Sequence, residues 1–191
     1  MYEVEVKVRA DLDDVRASLD AIDARHRETV EQTDTYFDAP HRDFAERDEA
    51  LRLRNERRGD TASHTLTFKG PKVDETSKTR REVETAVGDP DALESILESL
   101  GYSPVGTVRK ERERYEVGKY TVSLDSVAEV GSFVEVETET DEGAGGTAAS
   151  EEKIENARDG AFDLLERLGL DPNATIRTSY LELLLREGRE S

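Results

Sequence analysis

The chain opens on strict alternation. Over its first ten residues Glu3, Glu5, Lys7 and Arg9 interleave with Val4, Val6 and Val8, and a period of two predicts a β-strand with one charged and one apolar face. The valine face needs cover. The charged face sets its carboxylates and ammonium roughly 7 Å apart, at about 3.3 Å per residue. Alternation alone leaves two uses open for that face, contact with solvent or the lining of a metal and phosphate site.

The same reading extends along the chain. Asp11 is placed to cap a helix whose stripe is Leu12, Val15, Leu19 and Ile22. Strands are predicted at 27–38, ended by Pro40, and at 50–58, where Leu51 and Leu53 oppose Arg52 and Arg54. Residues 41–48 read as a polar connection, and Gly59-Asp60 as a turn. The next strand is 64–69, with Leu66 and Phe68 opposite Lys69, and Gly70-Pro71 opens a loop after it. Residues 79–87 alternate with Arg80, Glu82 and Glu84 on one face, and a helix from Pro90 carries Leu93, Ile96, Leu97 and Leu100. Strands follow at 105–117, with Lys110, Arg112 and Arg114 on one side, at 119–125, and at 132–140, where Glu135, Glu137 and Glu139 oppose Val134 and Val136. Residues 141–149 are Gly- and Ala-rich and read as a flexible link within a single domain spanning 1–191. Helices at 150–169 and about 178–187 close the chain. About eight strands joined largely in succession, with helices after the first, fifth and last, predict an α+β fold: an eight-stranded antiparallel closed barrel with helices outside.

Composition narrows the function classes. The 191 residues carry 27 basic and 45 acidic side chains, a net charge of −18, which opposes binding to nucleic acid or an anionic membrane. Cysteine is absent, which excludes disulfides and thiolate metal sites. No apolar run approaches a membrane span and no secretory leader is visible, so a soluble, cytoplasmic protein is expected. The acidic excess suits a salt-adapted surface. Lysine is scarce, with seven in all, so each one on the inward face of a strand is a candidate for chemistry.

The apolar stripes of the helices decide which strand face points in. Helices packed outside would cover Val4, Val6, Leu51, Leu53 and Val136, leaving the charged residues to line the interior. Charges inside a barrel are tolerated when paired, metal-bound or hydrated. Carboxylates in one sector would hold hard divalent cations through oxygen. Arginines and lysines in another would grip a polyanion, arginine by forked contacts to phosphate oxygens. A triphosphate with its metal ions meets both demands.

Glu3-x-Glu5-x-Lys7 resembles the signature of the CYTH group, the triphosphate tunnel metalloenzymes. Further matching pieces follow in order: Asp34 to Phe37, Ala50 to Arg54, Thr67 to Lys69, Thr79 to Glu84, Val108 to Arg112, Leu124-Asp125 and Gly131 to Glu137. The resemblance implies a tunnel that binds a triphosphate with Mg2+ or Mn2+. Carried over by position, Glu3, Glu5, Glu135 and Glu137 are the metal carboxylates, with Asp125 close by. Lys7, Arg52, Arg54, Lys69, Lys110 and Arg112 grip the phosphates, and Glu82 supports the metal site. Arg80, Arg81 and Arg114 depend on strand parity, which a shift of one residue would reverse; Arg80 is placed with the phosphate group. Tyr36, Lys110 and Asp125 are candidates to orient or deprotonate the nucleophile, although Tyr36 suits a packed aromatic equally well.

The group includes class IV adenylate cyclases, thiamine triphosphatases and inorganic tripolyphosphatases. Gln32 to Phe37, Pro40 to Ala45 and the ending Ser179 to Leu184 resemble the cyclase branch, which converts ATP to cyclic AMP and pyrophosphate. Triphosphatases of the animal type have a C-terminal lysine reaching the tunnel, and no lysine follows Lys153 here. A tripolyphosphatase, a thiamine or nucleoside triphosphatase, and a non-catalytic polyphosphate- or nucleotide-binding module stay open. The resemblance also allows a homodimer.

Overall fold

The computed structural model describes residues 2–73, 77–140 and 147–190. Its strands are β1 (Tyr2–Arg9), β2 (Arg25–Asp38), β3 (Ala50–Arg58), β4 (Thr61–Lys72), β5 (Arg80–Ala86), β6 (Ser103–Val117), β7 (Tyr120–Val127) and β8 (Gly131–Thr140). They form one closed antiparallel barrel in the order β1-β5-β4-β3-β2-β6-β7-β8. Helices α1 (Leu12–Ala21), α2 (Pro90–Ser99), α3 (Thr147–Arg167) and α4 (Tyr180–Glu190) lie outside the strands. Asp11 caps α1 through Asp13 N, and Asp89 caps α2 through Ala92 N. Of the expected link at 141–149, residues 147–149 begin α3, and 141–146 lie outside the described residues.

The core sits between barrel and helices. Val6, Val8, Val122, Leu124, Val134 and Val136 of the sheet meet Val15 and Leu19 of α1 and Ala161, Leu164 and Leu165 of α3. This outer burial turns the alternate residues of the same strands inward. A second cluster joins Phe37, Leu51 and Leu53 to Leu97 of α2 and to Phe44. The connection 41–48 is therefore not wholly polar: Phe44 is buried and plugs that cluster. Gly70-Pro71 does not open a loop. β4 runs on to Lys72 through a register irregularity between Lys69 and Lys72, where proline is tolerated. Ile96 and Leu100 stay exposed, so only the Leu93–Leu97 edge of the predicted α2 stripe is used.

One seam is short. β1 pairs with β5 only at Tyr2↔Arg81 and Glu3↔Arg80. Beyond Glu3 two other segments complete that edge: Lys78 N donates to Glu5 O at 2.9 Å and Ile176 N to Lys7 O at 2.7 Å.

Two helical glycines differ in what surrounds them. A Cβ on Gly160 of α3 would lie 2.1 Å from Tyr120 Oη, which donates to Ala157 O at 3.0 Å, whereas a Cβ on Gly188 of α4 would meet nothing within 4 Å. Alanine gains up to about 1 kcal/mol over glycine in a helix, while overpacking costs about 1–3 kcal/mol. In urea unfolding, Gly188→Ala should raise the midpoint slightly and Gly160→Ala should lower it. A rise for Gly160→Ala would show that Tyr120 moves aside at no cost.

Candidate active site

The barrel holds a cavity of about 480 Å3 lined by residues of seven of its strands, all but β7, together with the start of α4. Its chemistry divides into sectors set by register. β1 lies against β8 with Glu5 opposite Glu137, Lys7 opposite Glu135 and Glu3 opposite Glu139. This juxtaposition gathers Glu3, Glu5 and Glu137, which each place a carboxylate oxygen within 4.8 Å of the others. Burial pushes Glu137 up to about 7, reinforced by the charge on Glu3. Burial also pushes Glu82 up, to about 8 against the pull of Lys69, and its retained proton serves a hydrogen bond with Glu3. For Glu3 burial is outweighed by Lys69, Glu82 and Arg52, which hold it well below the usual range. A deprotonated Glu3 beside acids that keep their protons near neutrality marks an acidic sector that Lys69 and Lys78 neutralise only in part.

The opposite sector is cationic. Arg54 makes a forked contact to Asp34, with both bonds at 2.7 Å. Lys110 Nζ lies 3.6 Å and Arg52 Nη1 3.9 Å from the same carboxylate. Asp34 is buried, yet Arg54, Lys110 and Arg52 overcome burial and hold its pKa far down. Burial pushes Lys110 down to about 8, helped by Arg112 and opposed by Asp34. Arg52 Nη2 donates to Thr67 Oγ1 at 3.2 Å, while its buried Nε finds no acceptor among the described residues. A buried N–H without an acceptor is costly, and a bound anion would relieve it.

Between these sectors Arg112 donates from Nε to Asp125 Oδ1 at 2.6 Å and from Nη2 to both Asp125 and Glu135. Lys78 Nζ reaches Glu5 at 2.5 Å and lies 3.9 Å from Glu135, and Lys69 Nζ bridges Glu82 and Glu3.

The structure brings Glu3, Glu5, Glu137, Glu82, Arg52, Arg54, Lys69, Arg80, Lys110, Arg112 and Glu135 onto one cavity wall. Parity at β5 puts Arg80 inside and Arg81 outside, and Arg114 also faces the cavity. Glu135 belongs with Arg112 rather than with the acidic trio. Asp125 lies apart from the trio too: it is fully buried, and its oxygens accept from Arg112 and from Tyr180. Lys7 is buried at the α4 end, where its ammonium donates to Thr178 O at 2.7 Å. Tyr36 sits on the rim, half-buried against Leu181 and its neighbours. Three contributors escaped the sequence reading. Asp34 sits in the quoted Asp34–Phe37 motif, Lys78 is one of the scarce lysines but lies outside any strand, and Tyr180 is in the C-terminal motif.

This arrangement has relatives. The CYTH domain profile matches residues 1–180. The chain belongs to the CYTH family. CYTH members act on triphosphates, and the tunnel metalloenzymes among them use divalent metals. A Methanocaldococcus jannaschii protein that bears an adenylate cyclase name as a provisional label is 35% identical over 184 residues, 96% of this chain and 98% of its own. The adenylate cyclase CyaB of Aeromonas hydrophila is 30% identical over 186 residues, 95% of this chain and 88% of its own. A solved Pyrococcus horikoshii structure superposes with a TM-score of 0.87 at 36% identity, covering 97% of this chain and 99% of that one. A Hippeastrum protein, whose structure is described as revealing a dominant triphosphatase activity, shares the fold at 19% identity, with a TM-score of 0.64 over 98% of this CYTH chain and 95% of its own.

Proposed function

We propose that this CYTH protein is a divalent-metal-dependent enzyme of the class IV adenylate cyclase type, converting ATP to cyclic AMP and pyrophosphate. The observation that carries this reading is the composition of one cavity. A cluster of three carboxylates shares the cavity with a cradle of arginines and lysines, and the rest of the lining mixes Tyr36, Phe37, Phe44, Val105, Leu181 and Leu185 with Asp38, Asp43, Asp48, Glu49 and Glu182. Bare tripolyphosphate has no use for the aromatic and aliphatic part of that lining, whereas a nucleoside has.

Glu3, Glu5 and Glu137 fit Mg2+ or Mn2+: they are hard oxygen donors and they converge, each with a carboxylate oxygen within 4.8 Å of the others. Such an ion polarises phosphate oxygens and offsets the charge that develops in an in-line displacement. Arg52, Arg54, Lys69 and Arg112 neutralise the phosphate chain, and the unpaired Nε of Arg52 gains its acceptor there. Lys110, held between Asp34 and Arg112 with its pKa near 8, is the group best placed to receive the proton of the ribose 3′-hydroxyl as that oxygen attacks the α-phosphorus and pyrophosphate leaves.

A second reading uses the same cradle. Water directed at the terminal phosphorus would make the protein a triphosphatase, the activity described for the Hippeastrum neighbour. Incubation with ATP, and separately with tripolyphosphate, plus Mg2+ or Mn2+ at high salt distinguishes the two. The cyclase reading expects cyclic AMP and pyrophosphate from ATP. Orthophosphate release replaces it with the triphosphatase, and tight binding without turnover replaces both with a binding module.

A further inference from the structure

In the C-terminal motif Ser179 to Leu184, Tyr180 touches two cations, Lys7 and Lys110, and reaches a third, Arg112, through Asp125. The residue opens α4, outside the barrel, yet it is buried. Its hydroxyl donates to Asp125 Oδ2 at 2.8 Å, and Asp125 is the carboxylate that fixes the Arg112 guanidinium. Its ring face takes the ammonium of Lys7 at 4.0 Å from the centroid and that of Lys110 at 5.0 Å. Its ring packs on Phe133 with centroids 5.0 Å apart, and two residues earlier Thr178 O accepts from Lys7.

We infer that Tyr180 is a positioning residue for the phosphate cradle, its ring setting the two lysine ammonium groups and its hydroxyl setting Arg112 through Asp125. Three like charges converge here inside a barrel, and each would turn away from the others if nothing held it. The negative face of an aromatic ring attracts ammonium groups without adding a charge that would compete with phosphate. A carboxylate in its place would pair with the lysines and close the cradle to an anion; an aliphatic side chain would fill the space and leave Lys7 to Thr178 O and Lys110 to the Asp34 carboxylate. The hydroxyl does a separate task, since Asp125 has more acceptor capacity than one guanidinium uses and a neutral donor completes it. Tyr180 therefore supports ligand binding through its ring and the alignment of Arg112 through its oxygen.

The inference rests on the tunnel being the triphosphate site, so its test has one arm that needs no ligand. Tyr180→Phe keeps the ring and removes the hydroxyl; Tyr180→Leu removes both. With no ligand, lysine acylation read by mass spectrometry should show Lys7 and Lys110 protected in the wild type and in Tyr180→Phe. Both should label at least tenfold faster in Tyr180→Leu, while Lys69 on β4 does not change. Equal acceleration of all three lysines, or of none, overturns the positioning role whatever the protein binds. With Mg2+ and inorganic tripolyphosphate, calorimetry should show Kd raised at least tenfold in Tyr180→Leu and restored to within threefold in Tyr180→Phe. With the substrate that is turned over, Tyr180→Phe should lower kcat with little change in KM. Wild-type kinetics in both variants, with only Tm lowered, would reduce Tyr180 to packing. A wild type that binds no triphosphate would refute the functional reading and leave the labelling arm to judge this one.

Discussion

Replacing Glu137 with glutamine should leave the protein without turnover and make it more resistant to heat. Glu137 is one of three carboxylates sharing a small volume, and burial together with Glu3 pushes its pKa up to about 7. The sign follows from linkage. A carboxyl that binds its proton more tightly folded than unfolded costs stability as pH rises from the unfolded value of 4.5 to about 7, and the cost is complete above that. Glutamine removes the charge at nearly constant shape, so above pH 7 the variant should gain up to about 3 kcal/mol, or about 6–12 °C in a chain of this size. At pH 4 the two proteins should melt together. Divalent metal should oppose this gain and, at high enough concentration, reverse the order. It should stabilise the wild type by about 2.7 kcal/mol at about 100 times Kd and about 4 kcal/mol at about 1,000 times Kd, and leave Glu137→Gln nearly unmoved. Loss of one metal oxygen should lower kcat by at least about 10²-fold. Thermal melts at pH 4 and pH 8, with and without Mn2+, test every limb. A variant that still responds to metal as the wild type does would remove Glu137 from the metal site.

Arg112→Met should be the most damaging single change to stability in the tunnel. The guanidinium holds Asp125 and Glu135, both buried, and is itself buried among them. Methionine would leave Asp125 with only the Tyr180 hydroxyl and Glu135 with lysines, Lys78 at 3.9 Å among them. Breaking a buried pair in this way costs about 3–5 kcal/mol, enough to lower Tm by about 6–20 °C. The response to acid should change sign. In the wild type Arg112, Lys78 and Lys7 overcome burial and hold Glu135 well below 4.5, so its contribution is present above that pH and is lost as pH falls. In the variant the stranded carboxylates take up protons early, so stability should rise from pH 7 to pH 5. Adding Asp125→Asn to Arg112→Met should recover part of the loss, because the two sites are coupled. Urea unfolding at both pH values measures all three effects. An unchanged midpoint at pH 7 would mean that water or lysine already compensates these acids.

How far the site was legible in the sequence depended on the strand. β1, β3 and β8 alternate charged with aliphatic residues, so the inward faces with Glu3, Glu5, Arg52, Arg54, Glu135 and Glu137 are legible without coordinates, whereas β6 is charged on both faces from Arg109 to Arg114 and carries no such signal there. β2 is polar on both faces around Gln32, Thr33, Asp34 and Thr35, and parity there carries no hydrophobic signal. Asp34 lies in the Asp34–Phe37 motif, but nothing in the sequence marks it as the counter-charge of Arg54. Lys78 contributes from a non-strand segment between β4 and β5 that no periodicity describes. The family resemblance puts Asp125 beside the metal carboxylates; only the third dimension shows that Arg112 and Tyr180 occupy it. The continuation of β4 past Pro71 was hidden because the register irregularity that accommodates proline is a property of two strands together.

The short seam between β1 and β5 has a consequence for handling the protein. A strand with an unpaired edge is a template for other chains, and Val4, Val6 and Val8 would make this one adhesive. Here the edge past Glu3 is stoppered by Lys78 from one loop and by Ile176 from near the C-terminus. Shortening the chain before Ile176 would uncover the backbone at Lys7. Such a protein would precipitate by strand addition.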